Sequence, residues 1–84
     1  MEEPKIGMLV RHKDRLELRG KIVNIFLKIR ENRRYIAVDW NKEIYNGVNC
    51  GGLAKPHCGY NYLTSEFGIN VFPMPNTEYN KEDD

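Results

Sequence analysis

Nine lysines and arginines are gathered in one stretch of this chain: Arg11, Lys13, Arg15, Arg19, Lys21, Lys28, Arg30, Arg33 and Arg34. Only three acids, Asp14, Glu17 and Glu31, fall among them. That stretch carries a net +6, while the whole chain carries +1. Ammonium and guanidinium groups clustered in this way neutralise phosphates and release their counterions, or dock on an acidic protein surface. The balancing acids stand mostly near the ends, at Glu2, Glu3, Glu78, Glu82, Asp83 and Asp84. A near-neutral total therefore conceals a charge-separated molecule. The residues expected to meet phosphate, or a partner's carboxylates, are Arg11, Lys13, Arg15, Arg19, Lys28, Arg30, Arg33 and Arg34, with Tyr35 beside them as a ring on which a base can stack. The competing use of such residues is a solvated strand surface whose cations protect sheet edges.

Two other groups have chemistry-bearing side chains. Cys50, His57, Cys58 and His12 are of the types that bind zinc, but Cys50-x6-His57-Cys58 lacks the paired Cys-x2-Cys spacing of a zinc knuckle. They read as free loop residues, and neither a metal nor another cofactor is expected. Trp40, Tyr45, Tyr60 and Tyr62 are rings that either pack in a core or gather at one end to hold a cation. Alternation places Trp40 with Ile36 and Val38, which argues for the core. No nucleophile elbow, phosphate loop, zincin helix or carboxylate pair is present, so no catalytic residue is assigned and the chain reads as non-enzymatic.

At 84 residues the chain has room for one domain with a modest core. Its 40% hydrophobic and 30% charged residues are ordinary for a soluble globular protein. No apolar run approaches a membrane span and no leader pattern opens the chain, so a cytoplasmic location without membrane contact is expected. Asn, Ile, Lys and Tyr supply 28 of the residues, a bias that fits an AT-rich genome such as a phage's or a parasite's.

The elements that must position these groups follow a period of two. Over 21–29, Val23, Ile25, Leu27 and Ile29 fall on one face with Ile22, Asn24, Phe26 and Lys28 on the other, and over 34–40 Ile36, Val38 and Trp40 alternate with Tyr35, Ala37 and Asp39. The polar residues 30–33 between them read as a hairpin loop. The alternation predicts that Val23, Ile25, Ile36 and Val38 are buried. Residues 8–12 form a first short strand, and 13–19 a charged loop carrying Leu16 and Leu18. A fourth short strand at 44–45 ends in the Asn46–Gly47 turn, and a fifth occupies 69–72 after Gly68. The stretch 46–59 holds four glycines and is long for so small a domain. Thr64, Ser65 and Glu66 offer the capping chemistry of a helical turn.

The expected fold is all-β: a single small five-stranded antiparallel β-barrel over 6–73, after an N-terminal arm (1–5) and before an acidic flexible tail (74–84). This plan resembles the SH3-like small barrels, in particular their Tudor and KOW types. The resemblance is carried by Gly7-Met8-Leu9-Val10, Gly20-Lys21-Ile22-Val23-Asn24-Ile25, Ile36-Ala37-Val38-Asp39-Trp40, Tyr62-Leu63 and residues 69–72. KOW members carry a further glycine after the first strand, and residues 11–19 have none. The resemblance implies a binding module. Its ligand is read as nucleic acid, DNA or RNA, or a nucleic-acid-bound machine. The alternative is a protein-interaction module of the phage accessory or inhibitor kind, which docks an acidic partner.

Overall fold

The computed structural model describes residues 3–75. Five strands follow in order: β1 (Leu9–His12), β2 (Arg19–Lys28), β3 (Arg33–Trp40), β4 (Gly59–Leu63) and β5 (Val71–Pro73). Short 3-10 turns stand at Cys50–Gly52 and Thr64–Glu66. All pairings are antiparallel, in the spatial order β4-β3-β2-β1-β5. Every strand sends a residue to one core, which holds Val10, Ile22, Ile36, Val38, Trp40, Tyr62 and Val71 together with Leu18 and Phe67. With no second layer to cover that face, the sheet has to wrap around it. Hydrogen bonds do not complete the expected barrel, because β4 and β5 end the order without pairing. The Thr64–Glu66 turn and a bridge between Phe67 and Val71 link these two edges instead.

The central hairpin is present, with Lys28 paired to Arg33 and a four-residue loop at 29–32. Its buried face departs from strict alternation. Ile22 pairs with Val38, but the next pair is Asn24 with Ala37, so a bulge falls at Val23. The extra residue reverses the parity of β2. Ile22, expected on the opposite face, is fully buried before the bulge; Val23 and Ile25, both expected buried, are each half-buried, and of the two Ile25 packs against the core.

Two strand assignments are corrected. Residues 44–45 form no strand: Asn46 turns at φ +58° and Gly47 N–H donates to the Ile44 carbonyl at 3.0 Å, leaving Ile44 as a plug against the core. The free edge of β3 is taken instead by β4, whose Tyr60 and Tyr62 pair with Val38 and Ile36. The last strand is Val71–Pro73 rather than 69–72, because Gly68 turns at φ +89° and its N–H closes on the Val71 carbonyl at 2.7 Å. Pro73 is tolerated there because β5 is an edge strand. The expected helical turn is found at Thr64–Glu66, where Glu66 Oε2 accepts the Leu63 N–H at 2.9 Å.

The long glycine-bearing loop folds back over the outer face of β3 and β4. Asp39 accepts from the Lys55 backbone N–H at 3.2 Å and from its Nζ at 2.9 Å, and Val48 and Gly59 exchange hydrogen bonds at 2.8 and 2.7 Å. At Gly59 a Cβ would meet Cys50 Sγ at 2.7 Å, so only glycine lets the loop lie this close. Of the expected tail, Met74 is buried and donates its N–H to the Leu9 carbonyl at 2.9 Å. From residue 76 onward the tail lies outside the described residues.

The bulge makes the two neighbours unequal. Ile22→Ala is expected to cost about 2–5 kcal/mol in urea melts, as buried aliphatic truncations do, and Val23→Ala clearly less. Equal losses would show that the strand alternates without interruption.

Candidate functional site

The ten residues of β2 separate the basic residues into two groups. At about 3.3 Å per residue the groups lie roughly 30 Å apart. Arg11, Lys13, Arg15 and Arg19 surround the start of β2. Lys28, Arg30, Arg33, Arg34 and Tyr35 surround its far end. No single surface gathers all nine sequence-predicted residues.

The first group is largely committed to the fold. Arg11 lies over the Phe72 ring, 4.7 Å from its centroid, where the β1–β5 pairing brings the two residues opposite each other. Arg15 Nε donates to Glu17 Oε2 at 2.6 Å. The Glu17 carboxyl is held below the usual range first by backbone hydrogen bonding and then by Arg15. Arg19 Nη1 donates to the carbonyls of Leu16 and Leu18, and Arg19 Nε is buried without a hydrogen-bond partner among the described residues. His12 Nδ1 accepts the N–H groups of Asp14 (3.0 Å) and Arg15 (3.3 Å), which pins the start of the charged loop. Lys13 is anchored by its backbone N–H to the Asn70 carbonyl at 2.8 Å, with its side chain exposed.

The second group is freer. Arg30, Arg33 and Arg34 are exposed, and none has a carboxylate within ion-pair distance among the described residues. Arg34 shares a shallow recess with Glu3, Pro4, Ile25 and Thr64 without pairing to Glu3. Lys28 stands 3.6 Å from Glu31 and 5.0 Å from the centre of the Tyr35 ring. Phe26 and Tyr35, paired across the strands, stack at 5.6 Å with planes 14° apart. The Tyr35 hydroxyl donates to Glu31 Oε1 at 2.5 Å, which lowers the pKa of Glu31 and raises that of Tyr35. Lys28, Arg30, Arg33 and Arg34 against Glu31 leave this end at +3.

The four rings singled out in the sequence divide. Trp40 is fully buried, as its alternation predicts, and its Nε1–H donates to the Tyr62 hydroxyl at 3.2 Å. Tyr45, Tyr60 and Tyr62 do come together, joined by His12, Leu18 and Ile44, around an open recess of about 330 Å³ rimmed by Arg15. Tyr45 is 88% exposed there. His12 belongs to this group through its edge contact with Trp40 (6.0 Å) and its tilted contact with Tyr62 (6.3 Å), and alternation in β1 carried that signal. Among the described residues no three His, Cys, Asp or Glu side chains converge as an ion site. Cys50 is half-buried and Cys58 buried, and burial raises both thiols' pKa values above the usual range. No helix of the described residues is long and apolar enough to cross a membrane.

Compared with models of protein families, with curated proteins and with solved structures, the chain shows no significant match. The class of protein is thus defined by its architecture: a small all-β domain, a wrapped antiparallel sheet of five strands that presents a basic hairpin end and an aromatic recess.

Burial raises the pKa of the Tyr62 hydroxyl to about 12, against a smaller opposing effect of the hydrogen bond from Trp40. The neutral hydroxyl is therefore favoured in the folded state. Its contribution to stability is complete below the ordinary tyrosine value near 10 and is lost as pH rises from there through about 12. Tyr62→Phe should flatten that alkaline loss in thermal melts, while costing about 1–3 kcal/mol at neutral pH by leaving the Trp40 N–H unpaired. An unchanged alkaline slope would assign the loss to another group.

Proposed function

We propose that this chain is a non-enzymatic binding module of the SH3-like kind, working in the cytoplasm, and that it holds nucleic acid through the hairpin end of its sheet. The observation that carries this reading is the trio Arg30, Arg33 and Arg34. These residues are exposed, without carboxylate partners among the described residues, and cluster at the hairpin end: Arg30 in the turn, Arg33 opposite Lys28, and Arg34 next to it on the other face of the ribbon. Exposed guanidinium groups with no ion pair among the described residues have N–H donors to offer a phosphate, although Arg33 also lowers the pKa of Glu31 by its charge. The Arg11, Lys13, Arg15 and Arg19 group contributes less, because Arg11, Arg15 and Arg19 already serve the fold.

A protein-interaction module is the second reading, and the aromatic recess favours it. Tyr45 and Tyr60 offer exposed rings beside Arg15, the kind of amphipathic surface that anchors a peptide. Tudor-type and KOW-type membership belong to this level of inference, since they rest on the strand pattern alone.

The two readings separate in one titration series. Three or four phosphates neutralised at the hairpin should give a slope of about −3 when log affinity is plotted against log salt. Replacing Arg30, Arg33 and Arg34 together by Glu should abolish binding to nucleic acid, whereas Arg11→Glu with Lys13→Glu should weaken it only a few-fold. If wild-type protein binds no nucleic acid at low salt, the nucleic-acid reading fails. If the triple reversal leaves binding intact, the site lies elsewhere.

A further inference from the structure

We propose that the end of the β2–β3 ribbon enters the minor groove of duplex DNA and that Ile29 is the wedge which parts a base step there, an inference that rests on the nucleic-acid reading. The ribbon outruns the rest of the sheet. β1 accompanies β2 only opposite Arg19, Gly20 and Lys21, with Gly7 and Met8 extending that contact to Ile22. β4 accompanies β3 only from Tyr35 onward. Among the described residues, the pairs Leu27–Arg34 and Lys28–Arg33, and the turn beyond them, therefore have no third strand on either side.

The turn at the end of this ribbon carries an aliphatic side chain, Ile29, beside its polar residues Arg30, Glu31 and Asn32, where a hairpin turn is ordinarily polar throughout. Ile29 is 84% exposed and Leu27 49% exposed, so neither side chain is there to fill the core. Both stand among Lys28, Arg30, Arg33 and Arg34. An aliphatic tip flanked by arginines is the combination that kinks DNA from the minor groove: the cations follow its negative potential while the apolar group enters the stack. The turn is pre-shaped for this. Glu31 N–H donates to the Lys28 carbonyl at 3.1 Å, Asn32 N–H donates to the Ile29 carbonyl at 3.2 Å, and Asn32 sits at φ +53°. The one acid, Glu31, is tied to Tyr35 and Lys28 rather than left free to repel phosphate.

Single strands and membranes fit this tip less well. A single strand needs free ring faces for its bases, but Tyr35 already has Phe26 stacked against it and Lys28 over its ring. A bilayer is held in proportion to the apolar area buried in it, and two aliphatic side chains bury little. A minor groove about 6 Å wide admits the turn only once it has been opened, which is the work of the wedge.

The test uses the full chain and a duplex of about two helical turns, with donor and acceptor dyes at its ends and a fluorescent adenine analogue at a central TA step. Saturating wild-type protein should raise energy transfer and brighten the analogue. Ile29→Ser should lose both signals while keeping affinity within about tenfold and the salt slope unchanged, and Ile29→Met should restore them. Circular dichroism of each variant confirms that this exposed position leaves the fold intact. Duplex binding without a change in energy transfer, or equal bending by Ile29→Ser, overturns the wedge and leaves the nucleic-acid reading standing. Exclusive binding to single strands, or to phosphatidylserine vesicles in an Ile29-dependent manner, also overturns it. Absence of binding to any nucleic acid removes the reading beneath it as well.

Discussion

The Trp40 indole on β3 is held between residues from three other strands, and the rest of the structure depends on that arrangement. Gly20 lies directly across from it on β2, and a Cβ at that position would stand 2.7 Å from the ring atom Cε3. On β4, the Tyr62 hydroxyl accepts the indole N–H, and on β1 the His12 ring meets the indole at 6.0 Å. A fully buried indole has a large apolar area to cover and one polar group to satisfy, and this site does both. In a domain of 84 residues, whose net stability is on the order of 10 kcal/mol, one such side chain is a large share of the whole. It also fixes the wrap of the sheet, since β1 through β4 must all curve toward it.

The bulge at Val23 follows from this packing. Gly20 and Ile22 must face inward to accommodate Trp40 and Val38, and Ile25 must face inward to meet Ile36. Strict alternation cannot place both Ile22 and Ile25 on one face, because they are three residues apart; one extra residue between them can. Beyond Ile25 the core ends, and the strand pair continues with nothing left to bury. Among the described residues, Leu27, Ile29, Arg30, Arg33 and Arg34 at the hairpin end are exposed, while Lys28 is engaged with Glu31 and the Tyr35 ring. The cations at the other end of β2 are mostly held by carbonyls, a ring and a carboxylate.

The long loop shows how a stretch that reads as unstructured can be held by its surroundings. Its glycines read locally as a loose loop, yet the chain takes defined left-handed turns at Asn46, Cys50 and His57. The loop is fixed by the Asp39–Lys55 contacts, by the Val48–Gly59 exchange and by the hydrogen bond of Trp40 N–H to the Cys58 carbonyl at 2.9 Å. None of these pairings is between sequence neighbours, so local composition gives no sign of them.

What the sequence determined by itself is whatever depends on local periodicity and on charge. The alternation over residues 34–40 placed Ile36, Val38 and Trp40 inside, the polar interval marked the hairpin, and Thr64-Ser65-Glu66 marked the turn, because side chains on a pleated strand and caps at a turn are set by near neighbours. The excess of cations before residue 35 was equally plain. Only the tertiary structure decided that these cations form two groups about 30 Å apart, since the length of β2 and the pairing of Arg11 with Arg19 set their positions. It also decided that the fourth strand is Gly59–Leu63, because an edge of β3 is filled by whichever segment the intervening loop can return to it. The parity change at Val23 belongs to the same class. A bulge is chosen by what packs across the sheet, and Trp40 is eighteen residues or more along the chain from Gly20 and Ile22.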